Sequence, residues 1–254
     1  MATTTRRLDW PDCRNTRDLG GLPRPGGHTR RGVLIRTDNV GSLNAAGRQA
    51  MVDYGVRTVI DLRSESEVSG SPSPFAMALL PAIDTPNSMA QATELSLTYL
   101  HLPLIDDETW PALNEVAGIQ EVYLLMLERR QGAFARVFSA IAQAEGGVVF
   151  HCFAGKDRTG MVAALMLSLA QVDADAIAAD FAATDLQLAA KYEEWLAAAP
   201  PEKRERMRAD LQCPPARIMG VLDHLNQRWG GVQAYLESAG LTPATIDRLS
   251  AKLA

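Results

Sequence analysis

The stretch Gly147-Val-Val-Phe-His-Cys-Phe-Ala-Gly-Lys-Asp-Arg-Thr-Gly160 decides how this chain is read. Val148 to Phe150 is a short apolar run after the turn pair Gly146-Gly147, and it reads as a buried strand. Thr159 to Ala170 has an apolar body and reads as a helix. Between them lies a Cys and a tight loop. A helix start leaves backbone N–H groups without partners and carries about half a positive charge. A loop that curls Phe153, Ala154, Gly155, Lys156, Asp157 and Arg158 around one point turns those N–H groups into a cradle for a tetrahedral oxyanion. Gly155 supplies the backbone freedom for the curl. Arg158 can grip two oxygens with its planar fork, and Lys156 adds a second cation. Cys152 lies at the floor, where the same field favours the thiolate, a nucleophile aimed at a bound phosphoryl group. Taken singly, Cys152 is a core thiol, His151 a packed histidine, Gly155 a turn and Arg158 a surface charge. Together, H-C-x-x-G-x-x-R arises by chance about once in 160,000 windows, so the joint reading prevails.

Working outward, Val33 to Arg36, Val56 to Leu62 and Leu97 to Leu104 read as further strands. Asn44 to Tyr54 reads as a helix that Gly55 ends. The run 69–74 is a loop by composition, and 82–96 reads as a surface loop or insertion. Helices are expected at 116–130, 133–144, 174–183, 186–198, 202–211, 215–229 and 243–252, with Asp173 and Thr242 as N-caps. Strands followed by helices predict an α/β fold: a central, mostly parallel sheet flanked by helices. One domain over 1–254 is expected, with a helical addition around 184–213.

The composition suits a soluble globular protein: 254 residues, 47% hydrophobic and 22% charged. With 25 Lys+Arg against 30 Asp+Glu, the net charge is −5, which argues against nucleic acid or a membrane surface as a partner. The longest apolar run, Met161 to Ala170, is about half the ~20 residues a membrane span needs. The first residues, Met1 to Asp9, are polar, so a cytoplasmic protein is expected, with leaderless secretion left open. The three cysteines, Cys13, Cys152 and Cys213, are too far apart for a disulfide framework or a metal cluster, and no metal or cofactor is called for. Cys13 and Cys213 read as bystanders. The oligomeric state is left open.

His151-Cys-Phe-Ala-Gly-Lys-Asp-Arg-Thr-Gly160 resembles the phosphate-binding loop of the cysteine-dependent protein tyrosine phosphatases. Its G-K-D-R-T-G form is similar to the bacterial tyrosine/serine phosphatases of the mycobacterial protein tyrosine phosphatase B type. Asn15-Thr-Arg-Asp-Leu-Gly-Gly21, Arg36-Thr-Asp38, Asp61-Leu-Arg-Ser64 and Gly230 to Leu236 are similar to further family elements, in the family's order. The resemblance implies Cys152 as nucleophile, Arg158 as phosphate ligand and the 153–158 backbone as cradle. It also implies a Thr159 hydroxyl bonded to the Cys152 sulfur, His151 ordering the loop from behind, and a lid insertion in the helical addition around 184–213. Lys156 is shared with phosphoinositide phosphatases. The substrate implied is a phosphotyrosine (or phosphoserine) protein. Alternatives are a phosphoinositide or inositol phosphate, or an inactive phosphate-binding module. The general acid is open. Trp110-Pro111 is followed by Ala112, so the usual W-P-D element is broken. The candidates are Asp157, which the resembled branch uses, then Asp61, then Asp106 or Asp107. Asp61 also reads as a structural partner of Arg63, and Asp106-Asp107 as a solvated loop pair.

Overall fold

The structure, a computed structural model, describes residues 5–76, 97–109 and 118–254. The loop expected at 82–96, the Trp110-Pro111-Ala112 triplet and the first residues of the 116–130 helix lie outside the described residues. The chain forms β1 (Arg17–Asp18), a small hairpin of β2 (Pro23–Arg24) and β3 (Gly27–His28), β4 (Leu34–Thr37), α1 (Ala45–Asp53), β5 (Val56–Asp61), α2 (Glu65–Gly70) and β6 (Thr98–His101). It continues with α3 (Ile119–Arg129), α4 (Gln131–Gln143), β7 (Gly147–His151), α5 (Asp157–Leu169), α6 (Ala174–Ala198), α7 (Arg204–Leu211), α8 (Pro215–Trp229), α9 (Val232–Ser238) and α10 (Pro243–Lys252).

The main sheet has the order β1-β4-β7-β5-β6. β1 is antiparallel to β4, and the other pairs are parallel, so the expected mostly parallel sheet is present. Side chains alternate across it, as the pleat demands. Leu34, Ile60, Val148 and Phe150 join one core with Tyr123, Phe134, Phe138 and the apolar face of α5. Ile35, Val59 and Val149 join the other, with Trp10, Leu43, Met51 and Tyr99. β7 is buried on both faces at the centre, which is why it reads as an unbroken apolar run. The parallel strands end level: Thr37 pairs with His151, His151 with Asp61, and Asp61 with His101. Sites of open α/β sheets form at this carboxyl edge. Among the described residues no helix is long and apolar enough to cross a membrane.

Three local expectations are corrected. The segment 174–198 is one helix, not two. Its polar middle is held in place by tertiary contacts: Thr184 Oγ1 accepts from Arg17, and the Asp185 carboxylate accepts from the Cys213 N–H. Part of 69–74 belongs to α2, which opens on a capping box of Ser64 and Glu67. Helix α5 begins at Asp157 rather than Thr159.

Asp61 closes the sheet edge between β5 and β6. Its Oδ1 accepts from Arg63 Nε at 2.9 Å; its Oδ2 accepts from Arg63 Nη2 at 2.7 Å and from the Tyr99 hydroxyl at 2.9 Å. Asp61 and Arg63 are both fully buried. Burial works to raise the Asp61 carboxyl, but the Arg63 hydrogen bonds and nearby positive charge outweigh it and hold the group at about 2. A carboxyl depressed in the folded state stabilises above its unfolded value of 3.8 and loses that contribution as pH falls toward 2. The shift corresponds to about 2 kcal/mol. Thermal melting of the wild type should therefore drop steeply between about pH 4 and 2. Asp61→Asn should lower the plateau and flatten that slope; an unchanged slope would show that Asp61 is not the group responsible.

Candidate active site

The chain leaves β7 at His151, turns through Cys152 to Lys156, and enters α5 at Asp157. Cys152 is buried. Gly155 sits at φ +65°, and a Cβ there would lie 2.3 Å from the Thr37 carbonyl oxygen, so only glycine fits. The loop carbonyls are fastened outward. The Asn39 N–H donates to Phe153 O at 3.1 Å. Asn15 Nδ2 donates to Ala154 O and Gly155 O, each at 3.0 Å, and Arg36 Nη2 to Gly155 O at 2.8 Å. A peptide's N–H points opposite to its C=O, so fixing the carbonyls outward turns the N–H groups inward. Among the described residues, no protein acceptor takes the N–H groups of Phe153, Ala154, Gly155 or Lys156.

Behind the loop lies a buried charge cluster. Asp180, on α6, accepts from Arg17 Nε at 3.1 Å and Arg36 Nη1 at 2.7 Å, and it pairs with Arg6 at 2.9 Å. Burial opposes its ionisation, but the three guanidinium groups hold it far below the usual carboxylate range. Burial, followed by the neighbouring Arg36, pulls Arg17 down to about 10, so it stays charged at neutral pH. Arg17 also donates to Asn15 Oδ1 at 2.6 Å, which orients the Asn15 amide toward the loop. Asn15, Arg17 and Arg36 thus gain concrete partners.

Arg158 lies in the first turn of α5. Both its terminal nitrogens meet the Glu67 carboxylate, Nη2 to Oε1 at 2.8 Å and Nη1 to Oε2. Burial disfavours the charged guanidinium, yet Glu67 raises its pKa above the ordinary value. Glu67 Oε2 also accepts from the Ser64 N–H at 2.8 Å, as the capping box requires. Sequence reading missed Glu67, although the Ser64-x-x-Glu67 spacing was its signal.

The other expected residues fall in two groups. Asp157 accepts from the buried Tyr123 hydroxyl. Asp107 accepts from Ser66 N at 3.0 Å and Ser66 Oγ at 2.7 Å at the start of α2. Asp157, Asp107 and Arg158 line one cavity of about 290 Å³, whose apolar wall includes Ile119, Val122 and Met126. Asp61 is not brought there; it is sealed against Arg63 and Tyr99. Asp106 is occupied by Thr109 and Arg130. His151 lies behind the loop, where its Nδ1 donates to Cys152 O at 3.0 Å, and burial lowers its pKa. Among the described residues the buried Thr159 hydroxyl has no hydrogen-bond partner, and the bond expected to the Cys152 sulfur is not made. The Lys156 ammonium donates to Asp210 O at 2.5 Å and Leu211 O at 3.3 Å, and it lies 3.4 Å from Asp157 Oδ1. Those carbonyls end α7, whose unpaired acceptors attract a cation. Burial raises Cys213 to about 12 and Cys13 further still, which leaves both thiols inert.

A buried Cys at the carboxyl end of a central parallel strand, inward N–H groups and an Arg in the next helical turn define a cysteine-dependent phosphatase. The chain belongs to the tyrosine phosphatase family, whose model matches residues 8–254. It is 30% identical over 233 residues to a tyrosine-protein phosphatase of Nostoc commune, covering 87% of this chain and 74% of the relative. It is also 30% identical over 258 residues to the triple specificity protein phosphatase PtpB of Mycobacterium tuberculosis, covering 87% of this chain and 90% of the relative.

Removing one partner from a buried ion cluster strands the others. Asp180→Ala should cost about 3–5 kcal/mol in urea unfolding. A loss below 1 kcal/mol would mean that the three arginines are neutralised elsewhere.

Proposed function

We propose that this enzyme hydrolyses phosphotyrosine in proteins through a phosphocysteine on Cys152. The observation that carries the reading is the pinned loop: unpaired N–H groups converge beside a buried thiol while Glu67 holds the Arg158 fork. The thiolate attacks phosphorus in line, forming the S–P bond as the tyrosyl oxygen leaves. The N–H groups and Arg158 stabilise the charge on the equatorial oxygens. Asp157 gives the leaving oxygen its proton, then takes one from the water that hydrolyses the S–P bond. Asp157 is favoured because it follows the loop directly and lines the cavity beside Arg158. Asp107 is second on that wall, and the burial of Asp61 argues against it. The reading places Phe153 to Thr159 around the phosphate, with His151 and Arg63 in support. A phosphoinositide substrate is less favoured because Lys156 is engaged by α7. A reducing cytosol suits a thiolate nucleophile.

Cys152→Ser should abolish turnover of an aryl phosphate while phosphate still binds; residual turnover above about 1% would refute the phosphocysteine. Asp157→Asn should slow phenyl phosphate about 100-fold and p-nitrophenyl phosphate far less, since the better leaving group needs no proton. Equal losses on both would transfer the role to Asp107.

A further inference from the structure

Phe153 directly follows Cys152, and its side chain is 52% exposed. Among the described residues only one other large hydrophobic side chain, Leu186, is exposed. The ring is not loose. Its backbone carbonyl is held by Asn39, and the ring stacks on Trp195 of α6, with centroids 6.0 Å apart and planes at 28°. Tyr192, one turn earlier, supports Trp195 from the protein side at 6.0 Å. An aromatic ledge is thus built against the phosphate loop.

The ledge borders a cavity of about 220 Å³, separate from the cavity beside Arg158. Phe153, Ala154, Leu188 and Trp195 supply its apolar lining. Its polar lining is Asp12, Arg14, Asp38, Asn39, Ser42 and Lys191, and both cations are engaged by Glu194, at 3.9 Å and 2.6 Å. With Glu194 the charged groups carry a net negative charge, so a further anion is disfavoured there. The exposed Phe153–Trp195 stack and Leu188 offer an apolar or aromatic side chain a surface to pack on. Two of its walls, Phe153 and Ala154, belong to the phosphate loop, so the occupant lies against that loop.

We infer that this cavity is a recognition subsite for an apolar, preferably aromatic, side chain flanking the phosphorylated residue of a protein substrate. Trp195 is its specificity-determining residue. The inference rests on the reading of the chain as a protein phosphatase. It adds a sequence preference that the phosphate loop alone would not give, since N–H groups and Arg158 recognise the phosphoryl group whatever carries it.

The test uses phosphotyrosine peptides with Gly, Leu, Phe or Glu at each position flanking the phosphorylated residue. The wild type should favour a Leu or Phe at one flank over Gly by about tenfold in kcat/KM, expressed in KM, the equivalent of roughly 1.4 kcal/mol. Trp195→Ala should reduce that preference to within about twofold, and Trp195→Phe should retain it. The readout is the ratio between peptides, so a general loss of activity with the ratio intact overturns the inference. So does a wild type that shows no preference or prefers Glu. Turnover of p-nitrophenyl phosphate, and its loss in Cys152→Ser, is measured alongside. Failure there sinks the catalytic reading, while a flat peptide series with that activity present sinks the subsite alone.

Discussion

The buried carboxylate of Asp180 is the constraint on which the site depends. Arg17 and Arg36 are wholly buried, and an unpaired guanidinium in such a place is costly. Asp180 makes their presence tolerable, and they in turn reach forward. Arg17 orients the Asn15 amide, and Arg36 takes the Gly155 carbonyl. Through these two contacts a helix residue far along the chain dictates which way the loop peptides face. Buried ion clusters often add little net stability over apolar packing. What this one supplies is geometry: β1, β4, α6 and the phosphate loop share one set of hydrogen bonds, so none can shift alone.

The site also shows how a net acidic chain can be built to hold an anion. The average charge of −5 says nothing about the loop, where oriented N–H groups and one guanidinium act within a few ångströms. Glu67 is a carboxylate on the very group that the proposed reading assigns to phosphate, yet it prepares that group. Its Oε2 is fixed by the Ser64 N–H, and it meets the fork of Arg158 with both oxygens. A long side chain is thereby held in one conformation, and less ordering remains for the ligand to impose.

The parts of this architecture that are local in sequence were legible there. Strand β7, the loop and α5 are consecutive, and their chemistry is written in adjacent letters. The mostly parallel sheet followed from strands that are each succeeded by a helix. What stayed hidden was carried by distant pairs. Glu67 meets Arg158 across 91 residues, and Asp180 meets Arg17 across 163. In sequence each is an ordinary helix-surface acid. Thr184 and Asp185 look like a break in α6 because their partners, Arg17 and the Cys213 N–H, are invisible to periodicity. Asp61 shows the converse. Its place at a strand end suggested chemistry, whereas burial beside Arg63 makes it a fastener.

Lys156 joins two helices end to end. Its ammonium meets the last carbonyls of α7, where that helix is negative, while its backbone stands at the entrance to α5, where that helix is positive. The two dipoles are riveted through a single residue. Without the rivet, the carbonyls of Asp210 and Leu211 would lose their cation, and the end of α7 would be free to part from the start of α5. Lys156 is therefore a fastener between helices: it closes the carbonyl end of one and, through Asp157, meets the side chain that opens the next.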